Sequence, residues 1–309
     1  MGRAGPRFPA RTALFGAFLI GSMAAAVAGE ASAPNVEGVT PPTVTLDSGR
    51  TVVLFPPGDF YPPYIADPHR AGFGLLRRSY SELGIADSGD SRYGLKLGGR
   101  FGLARVQPPD SPDRGWQLGV EAGFNGLFDV DNSYDNIGWD GIYGLIFTQA
   151  IGDGLAVKLG ALHNTSSHVG DEYAERTGRR RLGYTRQEFI AGVSWSVTSR
   201  WRTYAETGRA YEMGEPALQR RDRAQLGLEY EHRRALWDGR LGWYAAADVS
   251  ATEERAWRRD VALQLGLSAY SGGRRWRLGL EHYRGRPFIG EFFQNTERYT
   301  ALGLWLDLY

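Results

Sequence analysis

Residues 298–309 read RYTALGLWLDLY. Leu302, Leu304, Leu306 and Leu308 fall on one face of an extended chain, and Tyr299, Ala301, Trp305, Asp307 and Tyr309 on the other. That is strand periodicity with its orientation left open. The same period runs back through the sequence. Trp276, Leu278 and Leu280 oppose Arg277 and Glu281; Trp257, Val261, Leu263, Leu265 and Leu267 oppose Arg258, Asp260 and Gln264. Ala224, Leu226, Leu228 and Tyr230 oppose Arg223, Gln225, Glu229 and Glu231, and Trp116, Leu118, Val120, Ala122 and Phe124 oppose Gln117, Glu121 and Asn125. A helix would scatter these residues around its circumference. Twelve strands are read, near 72–80, 91–106, 115–127, 137–150, 154–166, 184–197, 200–211, 222–232, 240–250, 257–270, 273–284 and 297–309.

Alternation is shared by soluble sandwiches, so the connections decide. Segments 152–154, 198–200 and 271–273 are tight turns, with 107–114 and 233–239 in the same set. Between them lie the longer loops 81–90, 129–138, 167–183, 212–221, 251–255 and 285–296. Short turns at one end and long loops at the other are the pattern of outer-membrane barrels. The expected fold is all-β: a twelve-stranded antiparallel transmembrane β-barrel over 71–309, in a bacterial outer membrane, with both termini periplasmic. The aromatic end, Tyr309, is read as part of the signal taken up by the barrel-assembly machinery.

Two further segments are expected. Residues 1–28 carry Arg3, Arg7 and Arg11, an apolar run and the small-x-small site at Ala26, Val27 and Ala28, which is a secretory signal peptide. Residues 29–70 are rich in proline, including Pro56, Pro57, Pro62, Pro63 and Pro68, and form an N-terminal extension without long elements. This extension is read either as a periplasmic lead-in or as a plug using Phe55, Phe60, Tyr61 and Tyr64.

The chain has 36 Lys+Arg against 35 Asp+Glu, and losing the leader's three arginines leaves it slightly acidic, so nothing argues for nucleic acid. With no cysteine there is neither a disulfide framework nor a thiolate metal site. No glycine-rich phosphate loop supports a nucleotide partner. Charges placed on the inward face are of both signs (Lys96, Arg100, Glu121, Lys158, Glu188, Arg202, Glu206, Arg223, Glu229, Asp248, Arg258, Asp260, Arg277, Glu281). Paired charges in a narrow lumen predict a filled interior more than a wide channel.

Three stretches resemble one known family: Leu54-Phe55-Pro56-Pro57 with Ala66-Asp67-Pro68, then residues 166–173 (SSHVGDEY), then residues 285–293 (GRPFIGEFF). They are similar to the outer-membrane family named domain of unknown function 1207. The resemblance covers most of the mature chain. It implies an outer-membrane barrel of Gram-negative bacteria and supplies no activity and no catalytic residues.

Chemistry could sit at 163–172, where His163, Ser166, Ser167, His168, Asp171 and Glu172 crowd together. Acyl hydrolysis needs a hydroxyl, a histidine base and a group that orients it. Residues two apart on a strand share a face, so Ser166 and His168 are expected side by side. The set loosely resembles the His-x-Ser arrangement of outer-membrane phospholipases and lipid A deacylases, except that Thr165 stands two residues after His163 and Ser166 three. A structural polar rim is the alternative. Asp129, Asp131, Ser133 and Asp135, with Asp140, offer alternating oxygens of the kind Ca²⁺ takes, although Tyr134 stands where an EF-hand loop needs Gly. Arg176, Arg179, Arg180 and Arg181 in the longest loop could bind the phosphates of lipopolysaccharide or other outer-membrane lipids. The expected role is that of a structural or lipopolysaccharide-interacting barrel or a narrow channel, with a lipid-acyl hydrolase as the alternative.

Overall fold

The structure, a computed structural model, describes residues 41–109, 111, 114–271 and 273–308, and only the backbone of Ser167. The signal peptide over 1–28, residues 29–40 and Tyr309 lie outside the described residues.

Twelve strands form the wall: β3 (Phe73–Glu82), β4 (Ser91–Gln107), β5 (Gly115–Asp129), β6 (Asp135–Gly152), β7 (Leu155–Val169), β8 (Tyr184–Ser196), β9 (Trp201–Met213), β10 (Asp222–Leu236), β11 (Leu241–Thr252), β12 (Arg259–Ser271), β13 (Arg274–Gly285) and β14 (Glu297–Leu308). Each pairs antiparallel with its neighbours in sequence, and β14 pairs with β3, which closes the sheet. A closed sheet leaves no free edge of N–H and C=O groups along the wall, the condition for a strand structure to sit in hydrocarbon. Long loops gather at one end and tight turns at the other.

The alternation sorts outside from inside. Leu97, Phe101, Leu145, Leu159, Phe189, Leu226, Leu265, Leu280 and Leu302 point outward and are exposed, a band suited to lipid. Trp116, Trp195, Trp201 and Trp237 ring the turn end, the place of an interfacial aromatic girdle. The orientation of β14 resolves in favour of its mixed face. Tyr299, Ala301, Trp305 and Asp307 are buried inside, and the leucine face is outside. One inward assignment changes: Arg258 is exposed, because Ala256 and Trp257 take left-handed φ values of 53° and 58° and β12 begins after them.

Ahead of the wall, β1 (Thr43–Thr45) and β2 (Thr51–Leu54) form a hairpin. β2 pairs with the turn-end half of β4, from Thr51↔Gln107 to Leu54↔Ala104, on the edge that the shorter β3 leaves uncovered. The chain then passes inside the barrel. A short helix, α1 (Asp171–Thr177), lies in the β7–β8 loop. It packs Tyr173 against a buried apolar cluster of Ile85, Leu127, Ile137, Val169, Phe288, Ile289 and Phe292 that caps the long-loop end.

Candidate functional site in the lumen

Residues 56–72 occupy the barrel interior, and their chemistry explains how. Pro57, Pro62, Pro63 and Pro68 have no N–H, so this stretch offers mostly acceptors. The wall answers with donors. Arg105 donates to the carbonyls of Pro57 (2.8 Å) and Gly58 (3.0 Å), and Gln117 also to Gly58 (3.1 Å). Arg100 donates to the carbonyl of Tyr61 (2.8 Å), and Arg202 to those of Pro62 (2.8 Å) and Pro63 (3.0 Å). Lys96 donates to the carbonyl of Pro68 (2.7 Å) and Asn125 to that of His69 (3.1 Å). Side chains add fewer anchors. Tyr64 stacks on Tyr204 with ring centroids 3.8 Å apart and donates to Glu206 at 2.8 Å. The Ile65 N–H donates to Glu229 at 2.6 Å.

The same cations hold carboxylates, so the wall is nearly neutral. Arg100 pairs with Glu121 at 3.0 Å and with Asp59 at 3.2 Å. Arg202 pairs with Glu229 at 2.9 Å. Arg223 bridges Glu188 (2.9 Å) and Glu206 (2.7 Å), and Lys158 meets Glu206. Asp307 gathers Arg70, Arg275 and Arg277 at 2.7, 3.0 and 2.7 Å. Of these groups, Asp307 and Arg275 were not anticipated as inward. The sequence signal for Asp307 was its place on the face shared with Trp305.

Between the inserted segment and the cap lies a cavity of about 130 Å³. Its walls include His69, Asp140, Ser166, Tyr184, Arg223 and Arg286. The cap enters here: residues 286–293 reach into the barrel mouth, where His69 meets the carbonyl of Pro287 at 3.3 Å. Ser166 donates to Asp140 and accepts from the Glu291 N–H at 2.7 Å, while the Gly290 N–H donates to Asp140 at 2.9 Å. Ser166 and Asp140 thus pin the cap to β6 and β7. Burial pushes the Glu291 carboxyl above its ordinary range, against the lowering pull of the Leu182 N–H and Arg179.

The hydroxyl–imidazole pair expected at 163–172 does not assemble. The β6–β7 register runs from Gly141↔Thr165 to Trp139↔His168, a bulge that sets Asp140 against two residues of β7. The extra residue reverses the faces: Ser166 points inward, and His168 points outward to stack on Trp139 with ring centroids 3.8 Å apart. His163 also faces out and stacks on Tyr143 at 4.6 Å. Asp171 and Glu172 begin α1 and are exposed. The side chain of Ser167 lies outside the described residues.

The acidic loop is likewise committed to backbone groups. Asp129 accepts from Gly89 N–H (2.9 Å), Asp131 N–H (3.2 Å) and Asn132 (2.7 Å), and Asp131 from Ser91 N–H (3.2 Å). Ser133 takes a left-handed φ of 58° in the turn before Asp135, and Asp140 stays apart in the lumen with Ser166. Among the described residues, no group of three or more His, Cys, Asp or Glu is placed to hold a metal ion. Of the loop arginines, Arg179 lies over Phe292 at 4.2 Å and donates to the Glu291 carbonyl. Arg176 donates to the Asp87 carbonyl, Arg181 meets Asp171 at 3.5 Å, and Arg176, Arg180 and Arg181 are exposed.

Comparison with solved structures finds barrels of the outer membrane. The outer membrane phospholipase A from Escherichia coli superposes with a TM-score of 0.53 at 13% identity, covering 76% of this chain and 92% of that one. The Salmonella typhi outer membrane phospholipase dimer with bound calcium gives 0.52 at 14% identity, covering 79% and 93%. At these identities the likeness is one of fold. A search of the curated proteins found no match. Residues 28–307 match the family described as "Protein of unknown function (DUF1207)", and the chain belongs to that family.

Proposed function

We propose that this protein is an outer-membrane conduit held shut by its own amino-terminal segment, with the tight turns and both termini on the periplasmic side. The observation that carries the reading is the row of wall donors on the carbonyls of 57–69. A lumen meant only to be filled would gain as much from apolar packing, because buried ion pairs contribute little net stability. Here much of the wall carries paired charges. Ile65 and Ala66 pack against an apolar patch with Leu76, Tyr244 and Trp305, but the backbone of the separate stretch that fills the lumen is held by a row of hydrogen bonds. Water replaces such bonds at small net cost when the stretch leaves. At the long-loop end, the exposure of Arg180 and Arg181 supports a reading in which they meet lipid phosphates, Arg181 giving up its exposed contact with Asp171. Acyl hydrolysis is less well supported, since the Ser166 hydroxyl is taken by a carboxylate and a backbone N–H, His163 and His168 point outward, and His69, which lines the same cavity, meets the Pro287 carbonyl instead of the serine.

The test is conductance in a planar bilayer. Residues 59–70 are replaced by a Gly/Ser linker of equal length, which keeps the chain connected but removes the side-chain anchors of Asp59, Tyr64 and Arg70 and the proline rigidity that holds the carbonyls against the wall donors. Wild type should stay near baseline and the variant should show discrete open steps. A correctly assembled variant that remains closed would leave a purely structural barrel.

A further inference from the structure

We propose that the chamber beneath the cap is a binding site for a small oxoanion, anchored by Arg286. Five arginines line it: Arg70, Arg100, Arg186, Arg223 and Arg286. Four are committed: Arg70 to Asp307, Arg100 to Asp59 and Glu121, Arg186 to Glu188, and Arg223 to Glu188 and Glu206. The guanidinium of Arg286 has no carboxylate, carbonyl or hydroxyl acceptor among the described residues. Its backbone, in contrast, is held on both sides. The Arg286 N–H donates to Asp260 at 3.0 Å, its carbonyl accepts from Tyr283 at 2.8 Å, and Pro287 follows. The fork is therefore positioned rather than loose, and its planar N–H pairs match the oxygens of a carboxylate or phosphate group.

A second observation comes from a different strand. The hydroxyl of Thr252, at the end of β11, lines the same chamber, is 6% exposed, and is an orphan among the protein's hydrogen bonds. Buried hydroxyls ordinarily find partners, so this one is an available donor on the wall of the same chamber.

The carboxylates of the wall argue for an anion over a cation. Glu121 holds Arg100, Glu188 holds two arginines, and Glu206 holds Lys158, Arg223 and Tyr64. Asp140 accepts from Ser166 and Gly290, and Asp67 from the His69 N–H. Each carboxylate on the wall already has a donor, so a cation would find none uncommitted. Arg286 keeps its proton throughout, since Tyr184, Asp260, Tyr283 and Glu254 nearby hold its pKa above the usual value despite burial. At about 130 Å³ the chamber holds several water volumes, room for a phosphate or a short carboxylate and not for an oligosaccharide. The inference rests on the conduit reading only for the route by which the solute arrives, and the site itself is measured without opening the barrel.

The experiment is calorimetric titration of the full-length barrel in detergent with inorganic phosphate, with acetate as the organic carboxylate arm and choline as the cation control. Saturable one-site binding of either anion is expected in wild type, weakened about tenfold or more in Arg286→Gln. Thr252→Val, with the fork intact, should weaken it by a smaller factor. No saturation by either anion up to ~10 mM, or equal affinity in a correctly assembled Arg286→Gln, would overturn the proposal. Should Arg286→Gln fail to assemble, selenate soaked into wild-type crystals decides. Anomalous density within hydrogen-bond distance of Arg286 supports the site, and density elsewhere or none rejects it. Failure here with conductance intact would sink the site and not the conduit.

Discussion

The Ser166 hydroxyl uses both its hydrogen-bonding roles on structure, one toward Asp140 and one from the Glu291 N–H. Its removal leaves a buried acceptor and a buried donor unmatched. Ser166→Ala is expected to cost ~1–3 kcal/mol, read as a lower denaturant midpoint with unchanged slope. Hydrolysis of purified phospholipid should stay at the level of a no-protein control in both proteins. Measurable hydrolysis in wild type that vanishes in a Ser166→Ala barrel of undiminished stability would reverse this reading. The grouping of serine, histidine and carboxylate at 163–172 was visible as sequence; its geometry was not. A single bulged residue turns every later side chain to the other face, and nothing in the local residue pattern marks where that residue is inserted. The commitment of Arg100 or Glu206 to particular partners was equally out of reach, because those partners lie on non-adjacent parts of the chain.

At the scale of elements, the strands were legible because each must present apolar groups to one side and polar or small ones to the other. β8 and β13 begin and end within a residue or so of where the alternation put them. What failed at Arg258 was a boundary, set by a left-handed turn at Ala256 and Trp257 that non-glycine residues rarely adopt. The β1–β2 hairpin shows why a short element matters. β4 spans 17 residues and β3 only 10, so without β2 the turn-end half of β4 presents a raw edge. Removing 41–54 should therefore raise hydrogen exchange over 103–107 by orders of magnitude while leaving β10 to β12 protected. Unchanged protection at 103–107 would mean that another group covers that edge. The path of the proline-rich stretch had no comparable local signature, since its partners are wall side chains 28 to 237 residues away.

For the molecule as a whole, wall and filling are coupled through shared cations. Arg202 serves two carbonyls of the inserted stretch and the carboxylate of Glu229, which in turn accepts from Ile65. Deleting one partner strands the other in a place water hardly reaches. Arg202→Ala is expected to destabilise by ~3–5 kcal/mol. The double variant Arg202→Met with Glu229→Leu should recover most of that loss in chemical denaturation, because the charge that Arg202 leaves behind is gone too. A double variant as weak as the single one would show that the carbonyl contacts, not the ion pair, dominate.

The inserted stretch leaves β2 beside Ala104 and rejoins the wall at Phe73 beside Leu306, both near the turn end, after turning beneath the cap at His69. It therefore enters and leaves by a single mouth, as a doubled strand of rope lowered into a well. Among the described residues the stretch is a loop with both its ends at that mouth, so it can be drawn out and returned without untying anything. A steady pull from the amino-terminal side would extract it while the surrounding cylinder stays intact, and the force record should show one small early event well separated from rupture of the sheet.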